Sequence, residues 1–172
     1  MNPIFFFLLA VVLAAAIVTG VIIYLLHRDT TPGEPEAYVA YTAPDYSDTA
    51  GFRLTSYPNN DVLIPRRYWL VNGGTAEVEY TVVPGKTANL RAAPVGTLKL
   101  PSEYVAEPYE SVTSYPVDGV TVTQSQSPGR KAMLRWQKDG FDYAVLAPDP
   151  EMNTMGGTAN DFITQTKAEK TA

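Results

Sequence analysis

Cysteine is absent from this 172-residue chain, and histidine occurs once. The first absence excludes disulfides, thiolate metal sites and a cysteine nucleophile. The second nearly excludes hydrolysis of the Ser-His-Asp type, which needs an imidazole beside the serine. His27 directly follows an apolar run, where snorkelling toward a lipid interface is the simpler role. A Gly-x-Ser-x-Gly elbow, a phosphate-cradling glycine loop and His-based metal spacing are missing as well. So are basic runs: 13 Lys and Arg stand against 18 Asp and Glu, a net charge of −5. Nucleic-acid binding therefore lacks its electrostatic footprint. No motif implies a cofactor or a metal.

Charge is also absent from the first 26 residues, and "PIFFFLLAVVLAAAIVTGVIIYLL" (Pro3 to Leu26) is almost wholly apolar. As a helix this run reaches roughly 36 Å, enough to cross a hydrocarbon core of about 30 Å with some tilt. A cleaved secretory signal is the alternative, but it calls for a basic n-region and a shorter apolar stretch ending in small residues. Only Met1 and Asn2 precede the run, with no Lys or Arg, and Ala14, Ala15 and Ala16 lie in its middle. The expectation is a retained anchor over 1–26, contacting the lipid bilayer through residues 3–26. His27 and Arg28 alone would tilt the C-terminus inward. "HRDTTPGEPEAYVAYTAPDYSDTA" (27–50) reads as a proline-stiffened stalk. Tyr38, Tyr41 and Tyr46 either pack back onto the body or lie near the interface.

From Gly51 onward strand patterns dominate. "GFRLTSY" alternates Phe52 and Leu54 against Arg53 and Thr55. "RRYWLVNGGTAEVEYTVV" reads as strand, Asn72-Gly73 turn and strand, with Val78, Tyr80 and Val82 on one face. Thr87 to Ala93 is a further strand after Pro84-Gly85. Pro101, Pro108 and Pro116 limit the next stretch to a loop with one or two helical turns. Alternation resumes through Val120 and Val122, and Pro128-Gly129 turns into "RKAMLRWQ". Asp139-Gly140 closes a hairpin presenting Phe141, Tyr143 and Val145 together. "GGTANDFITQTKAEK" reads as a closing helix capped by Thr158, with a Phe162, Ile163, Thr166 stripe and Lys167 and Lys170 at its negative end. The expected fold class is α+β: an N-terminal transmembrane helix, then an antiparallel β-sheet domain over 51–172 with a C-terminal helix packed on it.

The order "GFRL…IPRRYWL…AEVEY", "LRAA", "VDGVTV" and "AMLRWQKDGFDYAV", closed by a short helix, resembles a family of bacterial single-span membrane proteins. Their extracytoplasmic part is a domain of unknown function, and the resemblance covers roughly Gly51 to Thr166. It implies an extracytoplasmic α+β domain, often linked to sigma-factor or envelope regulation. Regulatory members carry a cytoplasmic region ahead of the span, whereas Met1 and Asn2 alone precede it here. The resemblance implies localisation at the bacterial cytoplasmic membrane and a protein partner in the envelope. A cytoplasm-facing domain is the alternative.

Three groups of residues bear on function. Arg53, Arg66, Arg67, Arg91 and Arg135, if alternate strands present them on one face, form a patch for anions or partners; otherwise they are solvated outer-face charges. Trp136 and Tyr143 flank the Asp139-Gly140 turn, as a cross-strand pair or as a ligand-stacking platform. Glu103, Glu107 and Glu110 are the carboxylates a rival hydrolase would use, since a pair about 5–9 Å apart does glycosidase work. Asp45 and Asp48 lack the spacing and bidentate Glu of a calcium loop. The expected function is a non-enzymatic, membrane-anchored interaction module, accessory subunit or sensor.

Overall fold

Three dipeptides set the local geometry. Asn72-Gly73, Asp118-Gly119 and Asp139-Gly140 each place two successive residues at positive φ, between 48° and 81°. That is the backbone of tight hairpin turns whose twist matches the flanking strands. They join strands β4 (Leu63–Val71) and β5 (Thr75–Val82), β7 (Ser111–Val117) and β8 (Val120–Ser127), and β9 (Lys131–Lys138) and β10 (Phe141–Ala147). With β1 (Tyr38–Tyr41) and β6 (Lys86–Pro94), these strands make one eight-stranded sheet in the order β1-β4-β5-β6-β10-β9-β8-β7. Every neighbouring pair is antiparallel.

The computed structural model describes residues 36–83, 85–106, 108–127, 131–148 and 156–171. The apolar run Pro3–Leu26, residues 27–35, Pro84, Glu107 and the Pro128-Gly129 turn lie outside them. Among the described residues no helix is long and apolar enough to cross a membrane. They do include a second sheet, ordered β11-β3-β2, from β2 (Asp45–Tyr46), β3 (Phe52–Ser56) and β11 (Lys167–Lys170). Two helices complete the set: the single turn α1 (Ser102–Val105) and α2 (Gly156–Gln165).

Period-two alternation gives the large sheet one apolar face. Val78, Tyr80 and Val82 of β5 line up with Leu90 and Ala88 of β6, Phe141, Tyr143 and Val145 of β10, and Leu134 and Trp136 of β9. The small sheet and α2 cover this inner face. Phe52 meets Phe141 with ring centroids 5.5 Å apart, and Phe162 meets Tyr80 edge-on at 5.1 Å. Burying a Phe or Leu side chain contributes about 1.5–3 kcal/mol, so this face supplies most of the drive to fold. The outer face carries a smaller cluster, in which Tyr104, Met133, Ala144 and Leu146 pack with Leu98, Leu100 and Tyr109.

The strand-rich antiparallel body with a helix packed on it is as expected, but three boundaries differ. The 27–50 segment is not stalk throughout: β1 and β2 belong to the body, which begins by Glu36. Tyr46 is buried there, edge-on to Tyr41 at 4.9 Å. The closing helix stops at Gln165, and Lys167–Lys170 form β11 instead of its basic last turn; Thr158 falls inside α2 and is not its cap. Pairing decides this: Ala168 sits opposite Leu54 and is buried, and its N–H donates to the Tyr143 hydroxyl at 3.0 Å. Finally, Ser111–Val117 is a strand despite Pro116. β7 is the last strand of the sheet, where a missing N–H costs least.

Candidate functional site

The same alternation that fills the inner face sends charged and hydroxyl side chains outward. Across the sheet, register lines up Trp69, Glu77, Arg91, Ala144, Arg135, Thr123 and Ser114 in one row. Two arginines of this row meet opposite fates.

Arg91 is fully buried at the centre of the outer face. Its Nε donates to Glu77 Oε2 at 2.5 Å, and its two terminal nitrogens fork onto the two Glu36 carboxylate oxygens, both at 2.7 Å. The remaining donors go to the Lys99 carbonyl and the Tyr38 hydroxyl, both at 2.9 Å. Five N–H donors thus find five acceptors, the arrangement that lets a guanidinium leave water. Tyr38 in turn donates to Glu36 at 2.7 Å, and Asn89 donates to Glu77 at 3.3 Å. Hydrogen bonds from Arg91 hold the Glu36 carboxyl below the ordinary carboxylate range. Burial pushes the Glu77 carboxyl up, with Arg91 opposing. For Arg91 burial acts downward, but the Glu36 fork and Glu77 outweigh it and raise the net value.

Arg135 has no such partners. It is exposed on β9, opposite Ala144 and Thr123, and no described side chain bonds or pairs with it. It lines an open cleft of about 300 Å³ with Thr121, Thr123, Ser125, Met133, Gln137 and Asp142. The Thr123 hydroxyl is 3.1 Å from that of Ser114. Asp142 is the one carboxylate of the cleft, and both its oxygens are engaged: Gln137 Nε2 donates to one at 2.9 Å and the Gly96 N–H to the other at 2.7 Å.

The five arginines do not form one patch. Arg66 donates to the Thr81 hydroxyl at 3.1 Å and Arg67 stands 3.7 Å from Glu79. The bulge between Pro65 and Arg67 brings both consecutive residues to outer-face partners. Arg53 is exposed on the small sheet, in register with Asp45 and Glu169. Trp136 and Tyr143 stack at 5.2 Å with planes 10° apart and are buried in the inner core, so their rings form no exposed stacking platform, although both residues border the Arg135 cleft. Glu103 and Glu110 are exposed, and Glu107 lies outside the described residues. Asp45 accepts the Ser47 N–H and Asp48 the Thr49 hydroxyl. Among the described residues no group of His, Cys, Asp or Glu is placed to hold a metal ion.

Sequence reasoning missed Glu36, Glu77 and Tyr38 as partners of Arg91. The available signal was an arginine inside the apolar stretch Leu90 to Ala93. It also missed the hydroxyls at Thr121, Thr123 and Ser125, whose spacing of two puts them on one face. No family model, curated protein or solved structure matches this chain. Chemically, the outer face combines a saturated charge cluster with a cleft whose guanidinium is free to take a ligand.

Proposed function

We propose that this chain is a membrane-tethered binding module on the outer side of a bacterial cytoplasmic membrane, an accessory or sensing component of an envelope complex. The observation that carries the reading is the contrast on the outer face. Arg91 is spent inside the fold, whereas Arg135 stands among hydroxyls in an open cleft, with no counter-ion among the described residues. A cation left unpaired suits recognition of something brought from outside. The apolar run Pro3–Leu26 and the resemblance to single-span envelope proteins support the tether and its orientation. The Glu36–Arg91 fork adds a mechanical reason: it clasps the start of the body to the middle of its sheet, where a pull on the preceding chain is well resisted.

Fractionation tests the tether. The full chain should stay in the membrane pellet through an alkaline carbonate wash, and protease added to intact spheroplasts should cut it near Pro35. Release into the supernatant, or complete protection from the protease, overturns the reading.

A further inference from the structure

We infer that the Arg135 cleft is a site for a hydroxylated carboxylate of about sugar-acid size; this rests on the binding reading above and names its ligand class. On the outer face Arg135 is flanked by Ala144 and Thr123 across the strands and by Met133 and Gln137 along its own strand. Its diagonal neighbours are Asp142, Leu146, Thr121 and Ser125. Strands lie about 4.8 Å apart and alternate residues about 6.8 Å apart, so these eight positions are the nearest same-face neighbours of Arg135 in the sheet. Only one is charged, and Asp142 is held by Gln137 and the Gly96 N–H instead of pairing with Arg135.

The cleft therefore offers two kinds of group. The Arg135 fork and the hydroxyls of Thr121, Thr123 and Ser125 offer donors, the complement of a carboxylate. Beside them, Asp142 and the Gln137 side-chain oxygen offer acceptors to ligand hydroxyls. A simple inorganic anion would use the donors and leave the acceptors unused. A neutral sugar would do the reverse. A molecule carrying both groups uses both, and a volume of about 300 Å³ is at the lower bound of small-molecule pockets.

Glucuronate is the probe, with glucose and acetate each supplying one half of its chemistry. The full chain, labelled at its methionine methyls and held in lipid nanodiscs, is titrated while the Met133 signal is followed. Glucuronate should shift that signal saturably, with an affinity on the order of millimolar for so shallow a site. Glucose and acetate should bind at least about tenfold more weakly, the loss expected for one charge-assisted contact. R135Q should abolish saturation, and R135K, which keeps the charge but not the fork, should weaken it by an intermediate factor. Thermal midpoints of both variants should match the parent, because no described residue bonds or pairs with the Arg135 side chain. The inference is overturned if glucuronate gives no saturable shift, if R135Q binds as the parent does, or if glucose or acetate equals glucuronate. An unmoved Met133 signal in a chain that still pellets with carbonate-washed membranes removes the ligand assignment alone. Release from membranes removes the tethered reading and leaves the titration standing.

Discussion

Replacing Arg91 by leucine should be among the most damaging single changes this body can suffer. The substitution fits an apolar side chain into a site that is already dry, so packing volume is nearly kept. What is lost is the partner of Glu77, whose side chain is 3% exposed and would retain only the Asn89 contact at 3.3 Å. Glu36, 19% exposed, can turn toward water, so most of the penalty falls on Glu77. Breaking one side of a buried ion pair typically costs about 3–5 kcal/mol, capped by the freedom of the stranded carboxylate to take up a proton. For a body of this size that lowers the thermal midpoint by roughly 8–15 °C. Urea unfolding followed by the fluorescence of Trp69 and Trp136 reads it directly. The double variant R91L/E77L removes the stranded charge as well, and should recover about 2 kcal/mol or more of the loss. A single variant losing under about 1 kcal/mol, or a double variant no better than the single, would refute the claim that a desolvated charge cluster organises the outer face.

Other expectations follow from the same contacts. The folded state holds the Glu36 carboxyl below its unfolded value, so its stabilising contribution is present above about pH 4.3 and lost as pH falls through the folded value. Glu77 runs the other way: burial raises its pKa, so its ionisation costs stability as pH rises. The stability difference between parent and E36Q should therefore shrink on acidification through the carboxylate range, which urea midpoints at stepped pH would show; a constant difference would contradict the fork. Y143F removes the acceptor of the buried Ala168 N–H and should cost about 1–3 kcal/mol, with faster hydrogen exchange across 167–170. G140A puts a Cβ where nothing lies within 4 Å, but at φ +81°, so strain alone should lower stability by about 1–2 kcal/mol in urea titrations.

The fold was most legible where structure is decided by neighbours in sequence. Asn72-Gly73 and Asp139-Gly140 announce their turns because glycine tolerates positive φ and Asn or Asp comes next. Asp118-Gly119 has the same chemistry, and pairs Val117 with Val120 across a two-residue loop. Pro116 concealed β7 because proline breaks a ladder only where its N–H is wanted, and on an outermost strand it need not be. Lys167–Lys170 looked like the basic last turn of a helix; the partner that makes it a strand, Leu54, lies more than a hundred residues earlier. Glu36 read as stalk for the same reason, since its fork is with a residue 55 positions away.

The candidate site sharpens this point into a rule about arginines in strands. Arg91 and Arg135 both stand at outward positions of apolar strands, and a period of two assigns them the same face. Periodicity alone therefore predicts one patch. Their strand neighbours decide otherwise: β5 sets Glu77 beside Arg91, while β10 and β8 set Ala144 and Thr123 beside Arg135. A carboxylate in the adjacent ladder position allows a guanidinium to be buried; an alanine and a threonine leave it solvated and available. Pairing register, which a single sequence leaves open, thus separates a structural arginine from a binding one. Moving a carboxylate into the second setting should convert one into the other. T123E, directly opposite Arg135, is expected to close the guanidinium onto the new side chain and abolish carboxylate binding at unchanged fold, whereas T113E on the inner-facing register of β7 should leave the titration as it was.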